Sequence, residues 1–185
     1  MTELASAVTP TFPGLPALAA GLQLETPRLV LRQFVEDDLD ALAAMYADPE
    51  VMRYLGEGRT FDRAETWRAI SGMLGHWLLR GYGMWAVVEK ETGRMIGRVG
   101  FINPYGWPGF ELGWTLARTH WGRGYAPEAA AIALRYALDT LRRDKVISLI
   151  RPANAASIRV AEKIGQRLEG SLKLFEQEAL VYAVP

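Results

Sequence analysis

The stretch His120-Trp121-Gly122-Arg123-Gly124-Tyr125-Ala126-Pro127-Glu128-Ala129 joins an apolar, strand-like segment, Phe110–Leu116, to a helix-like one rich in alanine. Glycine lets the backbone turn sharply and leaves nothing on Cα to block a ligand. Successive main-chain N–H groups then point into one concavity at a helix N-terminus, a geometry that binds phosphate oxygens. Arg123 would add positive charge there. Two glycines alone are equally consistent with a loop that only caps a helix. The spacing is not a dinucleotide fingerprint, which needs a third small residue where Pro127 or Glu128 stands.

Outward from this loop the chain punctuates clearly. Upstream, Leu29–Phe34 alternates as a first strand, and Asp37–Ala47 follows as a helix with Leu39, Leu42, Ala43 and Tyr46 on one face. Pro49–Tyr54 reads as a short helical turn. Asp62 with Glu65 forms a capping-box pattern that opens a helix to about Arg80, with Trp67, Ile70, Met73, Leu74 and Trp77 as its apolar face and Gly81 as its stop. Met84–Glu89 and Met95–Ile102 are two strands around the turn Lys90–Gly93. Downstream, Pro127 suits the first position of a helix running to about Leu141. Val146–Ile150 is a strand, Ala155–Ile164 a helix, and Arg167–Phe175 and Ala179–Val184 are closing strands. This order implies an α+β fold: a mixed, mostly antiparallel sheet flanked by helices, with a parallel pair formed by a crossover late in the chain.

The 185 residues suit one domain over residues 24–185, preceded by an Ala-, Pro- and Gly-rich tail over 1–23 that reads as a disordered extension or an arm on a partner subunit. Lys+Arg and Asp+Glu both number 21, a balance that argues against a dedicated nucleic-acid binder. No cysteine is present, which removes disulfides, thiolate catalysis and thiolate-bound metal. The two histidines, His76 and His120, fall on different elements, so no metal site is expected. Apolar runs are too short to span a membrane, and the first residues lack the basic start of a secretory signal. A cytoplasmic location is therefore expected.

Four groups of residues carry a resemblance. Glu111-Leu112-Gly113-Trp114, then Trp121-Gly122-Arg123-Gly124-Tyr125-Ala126 and Glu128-Ala129, resemble the pyrophosphate-binding motif of the Gcn5-related N-acetyltransferase (GNAT) superfamily. Asn154-Ala155-Ala156-Ser157, with Val160, Lys163 and Gly165, resembles the branch that acetylates the N-termini of ribosomal proteins. So do the opening Leu24–Arg32 and the Asp48–Val51 segment.

The resemblance implies two splayed parallel central strands and acetyl transfer from acetyl-CoA to an amine by direct attack, with no metal. It implies that the pantetheine arm pairs with Trp114, Thr115 and Leu116, with Gly113 as a bulge that helps open the gap. Trp121, Gly122, Arg123, Gly124, Tyr125 and Ala126 would hold the pyrophosphate, although Trp121 stands where the family usually has Gln or Arg. Asn154 would lie near the pantetheine. Many relatives place an acidic tyrosine seven residues after that Asn, where this chain has Ala161. Ser157 therefore becomes the candidate acid or hydrogen-bond donor to the sulfur. Both Asn154 and Ser157 are also good helix caps.

Glu111 is the candidate general base, or else a solvated strand residue or a partner for Arg98. Strand alternation puts Glu111, Gly113 and Thr115 on one face and Leu112, Trp114 and Leu116 on the other. Trp67, Trp77 and Trp85 read as core. Tyr105 and Trp107 would line the acceptor site or fold back on the core. Asp48, Glu50 and Glu57 would attract an amine or simply sit on a solvated turn. His76 reads as structural, and His120 as a surface or capping residue.

The acceptor would be a small-molecule amine or a protein N-terminus, and a homodimer is an assembly common in the family. Two other classes stay open. A non-catalytic acyl-CoA-binding module would bind coenzyme without turnover. A nucleotide-binding protein would use the same phosphate nest for ATP or NAD.

Overall fold

The computed structural model describes residues 22–184. The expected tail therefore lies almost wholly outside the described residues. Only its end is seen, where Leu22 O accepts a 3.1 Å hydrogen bond from Trp85 Nε1.

The strands are β1 (Leu24–Glu25), β2 (Leu29–Arg32), β3 (Met84–Glu89), β4 (Met95–Ile102), β5 (Glu111–Leu116), β6 (Val146–Ile150), β7 (Arg167–Leu174) and β8 (Gln177–Val184). The α-helices are α1 (Leu39–Tyr46), α2 (Pro49–Met52), α3 (Arg63–Arg80), α4 (Tyr125–Asp139) and α5 (Ala155–Lys163). The eight strands form one sheet in the order β1-β2-β3-β4-β5-β6-β8-β7. Every pairing is antiparallel except β5 with β6. The mixed, mostly antiparallel sheet expected from the sequence is thus present.

Local chemistry explains the boundaries. Asp62 accepts from Glu65 N at 2.7 Å, and Glu65 Oε2 accepts from Asp62 N at 3.0 Å, closing the capping box at the head of α3. Gly81 ends that helix in the left-handed conformation, at φ 73°. The inward stripe of α3 is Thr66, Ile70 and Trp77, with Met73 and Leu74 packed beside it. Trp67 is not core as expected but half exposed. Thr66 takes the inward position instead and donates to Asp62 O at 2.7 Å. Trp77 and Trp85 are buried, with rings 5.0 Å apart edge to face. His76 is structural: Nε2 accepts from Asn103 N at 3.1 Å, so Nδ1 donates to Tyr82 O at 2.7 Å.

Helix α4 starts two residues earlier than Pro127 suggested, which makes Pro127 its third residue. The change costs nothing, because the first turn's N–H groups have no intrahelical acceptor and proline lacks one. Alanines 129, 130, 133 and 137 let α4 sit close on the sheet, against Leu112 and Leu116.

The parallel pair is splayed. β5 and β6 are in register only at Glu111 and Ile147, where Ile147 N donates to Phe110 O at 3.0 Å. A regular parallel ladder would next bring Leu149 N to Leu112 O. Instead Ser148 Oγ donates to Leu112 O at 2.7 Å, and Leu149 N turns to the Glu111 carboxylate at 3.5 Å. Side chains of the strands themselves end the pairing.

Gly113 is not the expected bulge. The β4–β5 register runs unbroken, and Gly113 lies directly opposite Gly100. The irregularities fall elsewhere, at Val87/Val88 and Leu168/Gly170.

Candidate active site

Two cavities flank the splayed strands. One, of about 360 Å³, is lined by the loop after β5, the start of α4 and one face of α5. The other, of about 290 Å³, lies over the β4–β5 surface and is closed by the β7–β8 hairpin and the segment after α2. Tyr54, Leu55, Trp114, Thr115, Asn154 and Ser157 line both, so the two spaces meet at the opened strand edge.

In the larger cavity the loop turns through two left-handed glycines, Gly122 at φ 75° and Gly124 at φ 80°. The first α-helical bond of α4 runs from Glu128 N to Gly124 O at 3.3 Å. The N–H groups of Tyr125 and Ala126 therefore have no intrahelical acceptor. Trp114, Thr115, Leu116, Trp121, Gly122, Gly124, Tyr125, Ala126 and Asn154 all line this space. Arg123 does not; its carbonyl accepts from Arg28 Nη1 at 2.9 Å. Trp121, in the position usual for Gln or Arg, anchors the loop by donating to Leu116 O at 2.8 Å. His120 also lines the cavity, with Nδ1 3.0 Å from Thr119 Oγ1. Arg159 and Lys163, on one face of α5, add positive charge.

Backbone alternation in β5 follows from the Ile147 N–Phe110 O bond: even-numbered residues turn their main-chain groups toward β6. Trp114 N–H and C=O thus face the opened edge. Thr115 turns its own to β4, and Leu116 O is engaged by Trp121.

Asn154 caps α5, with Oδ1 accepting from Ser157 N at 3.2 Å. Ser157 and Ala161 are one helical turn apart on the face toward the sheet. Ala161, at the position many relatives give to tyrosine, is fully buried among Ile150 and Tyr182.

In the smaller cavity Glu111 is 8% exposed. Burial pushes its carboxyl up to about 7, against the lowering effects of the Trp107 hydrogen bond, the Leu149 N–H and the Arg98 charge. Trp107 Nε1 donates to Glu111 Oε2 at 2.6 Å, so Trp107 belongs to the site. Tyr105, by contrast, is fully exposed. Of the expected acidic trio none lines this cavity. Asp48 caps α2 through Glu50 N at 3.0 Å and pairs with Arg118 Nε at 2.9 Å, and Glu50 lines the larger cavity.

Two features carry no signal in the sequence. Glu128, at the start of α4, accepts from Thr26 Oγ1 at 2.6 Å, Arg28 N at 3.2 Å and Arg28 Nε at 2.7 Å. Arg28 also stacks over the Tyr125 ring at 4.4 Å. These contacts pin the N-terminal segment to the glycine loop. Burial works to raise the Glu128 carboxyl, but the Thr26 and Arg28 hydrogen bonds outweigh it and hold it below the ordinary range. The second feature is Arg151, which is buried and donates to Leu174 O, Glu178 O and Gly56 O at 3.1, 3.2 and 3.0 Å. An arginine or glutamate beside a proline, as at Arg28, Glu128 and Arg151, gives no local signal of its fold-distant partner.

Residues 28–167 match the acetyltransferase (GNAT) domain family. The chain belongs to this family. It is 33% identical over 171 residues to YkkB of Bacillus subtilis (strain 168), covering 88% of this chain and 95% of YkkB. An acetyltransferase structure from Agrobacterium tumefaciens str. C58 superimposes with a TM-score of 0.79 at 34% identity, covering 89% of this chain and 94% of that one. RimL, a ribosomal L7/L12 α-N-protein acetyltransferase in complex with coenzyme A, shares the fold with a TM-score of 0.73 at 21% identity, over 86% of this chain and 94% of RimL. Among the described residues no helix is long and apolar enough to cross a membrane, and no three His, Asp or Glu side chains are grouped to hold a metal ion.

Proposed function

We propose that this chain transfers an acetyl group from acetyl-CoA to an amine by direct attack. The observation that carries this reading is the meeting of two cavities at Trp114, Thr115, Asn154 and Ser157, one with a phosphate nest and the other with a buried carboxyl. The unpaired N–H groups of Tyr125 and Ala126, with Arg159 and Lys163 nearby, suit the phosphates of a coenzyme. RimL, with coenzyme A bound on the same fold, supports the choice of ligand.

The thioester of acetyl-CoA supplies the activated acyl group. The chain's own part is to align the reactants and manage charge. Trp114 N–H, facing the opened edge, polarises the carbonyl oxygen. Glu111, with a carboxyl pushed up to about 7, accepts the proton that an ammonium acceptor must lose, directly or through water. Ser157 donates a hydrogen bond to the departing sulfur, in place of the absent tyrosine.

Calorimetric titration with acetyl-CoA, CoA, ATP and NAD tests the coenzyme, and thiol release with an amine panel tests turnover. Saturation at about 1,000 times Kd adds roughly 4 kcal/mol of stability. Selective acetyl-CoA binding with thiol release on an amine supports the reading. Binding without turnover on any amine would make the chain an acyl-CoA-binding module. Preference for ATP or NAD would reduce the loop to a generic phosphate nest.

A further inference from the structure

The cavity on the β4–β5 surface has an unusual balance of charge. Its lining includes two arginines, Arg98 and Arg151, and one carboxyl, Glu111. Among the described residues no carboxylate lies within ion-pair distance of either guanidinium. Arg151 is satisfied by three main-chain carbonyls. Arg98 is not. Its Nη1 reaches only Met84 Sδ at 3.4 Å, its Cζ stands 5.8 Å from the Tyr46 ring centre, and its buried Nε has no hydrogen-bond partner among the described residues. Thr115 Oγ1, on the residue paired with Arg98 across β4 and β5, is also buried and unpartnered.

A buried N–H or hydroxyl without a partner is costly. Arg98 and Thr115 stand opposite each other across β4 and β5, and both residues line the one cavity. Arg151, directly after the end of β6, lines the same cavity, so arginines approach it from both neighbours of β5. The pattern fits an anion. At the other end of the same face stands Glu111, beyond the Gly100–Gly113 pair.

We infer that the acceptor is a small amine that also carries an anionic group, a carboxylate or phosphate, held by the Arg98 guanidinium and the Thr115 hydroxyl. This rests on the acetyl-transfer reading and narrows its acceptor. Polyamines and aminoglycosides, which carry only positive charge, are poor matches for a cavity lined by two arginines.

The test compares acceptors in matched pairs, with acetyl-CoA saturating: free amino acids against their carboxamides, and aminoalkyl phosphates against the corresponding amino alcohols. The expected result is a preference of about 10- to 100-fold in kcat/KM for the anionic member of at least one series, the size expected of a hydrogen-bonded charge pair. Arg98→Met collapses that ratio toward one, while Arg98→Lys retains part of it. Acetyl-CoA titration and thermal melting of each variant separate lost recognition from lost folding. Equal or better turnover of the neutral members, of polyamines or of uncharged peptide N-termini overturns the inference while leaving acetyl transfer intact. A ratio that survives Arg98→Met also overturns it. No turnover on any amine removes acetyl transfer itself, and this inference with it.

Discussion

The indole N–H of Trp107 donates a 2.6 Å hydrogen bond to the buried carboxyl of Glu111, four residues further along the chain. The bond stabilises the ionised carboxylate against the burial that otherwise raises its proton affinity. It also brings a residue of a turn-rich loop into the wall of the smaller cavity.

If Glu111 is the base, kcat/KM rises with pH through about 7, because the carboxyl must be ionised to accept a proton. Glu111→Gln should lower the plateau by about 10²- to 10⁴-fold and flatten that limb. The linked effect on stability has the opposite sense. A carboxyl with a raised folded value favours the fold below its ordinary range and loses that contribution as pH rises through about 7. Melting curves across that interval should therefore fall with pH in the wild type and less so in Glu111→Gln.

Trp107→Phe keeps the ring but removes the donor. Losing a bond that lowers the Glu111 carboxyl moves its midpoint above 7. The pH–activity limb should shift to higher pH, with a smaller change in the plateau than Glu111→Gln produces. An unmoved midpoint would show that the limb belongs to another group.

Ser157 and Asn154 separate chemistry from capping. Ser157→Ala keeps the N–H that Asn154 Oδ1 caps, so stability should hardly change, while kcat falls about 10- to 100-fold if the hydroxyl assists the departing sulfur. Asn154→Ala should cost about 1 kcal/mol in denaturant titration through the lost cap. An unchanged kcat in Ser157→Ala would leave it without a part in the reaction.

Glu128→Gln disturbs the acceptors of Thr26 and Arg28 and should cost about 1–2 kcal/mol. The Glu128 carboxyl lies below its ordinary range, so the ionised group stabilises the fold above that range, and the contribution is lost as pH falls through the lowered value. Urea titrations of wild type and variant should converge at acid pH.

Much of this was legible in the sequence wherever a local rule decided it. The Asp62–Glu65 box, the Gly81 stop and the Lys90–Gly93 turn depend on neighbours a few residues apart, and the strands around that turn follow from alternation. The glycine loop was legible because Gly122 and Gly124 must take conformations that side chains disfavour. What stayed hidden depends on partners far along the chain. Thr26 and Arg28 meet Glu128 across about a hundred residues. Gly113 looked like a bulge until its register with Gly100 was known. Trp67 looked like core by spacing, but Thr66 holds the inward place. Arg98 was legible only as a partner for Glu111, because nothing beside it in the chain signals that its buried Nε lacks one.

Gly100 sits at φ 144°, and a Cβ there would lie 2.3 Å from Gly83 O, while one on Gly113 would press Met84 Cε at 3.3 Å. Gly100→Ala should therefore cost roughly 2–4 kcal/mol. At Gly100 the strand is closed to side chains, whereas at Gly113 only the mobile end of Met84 stands in the way. Changes in the shape of the cavity above are open instead to loop residues such as Trp107 and Phe175, which line it from outside the strands.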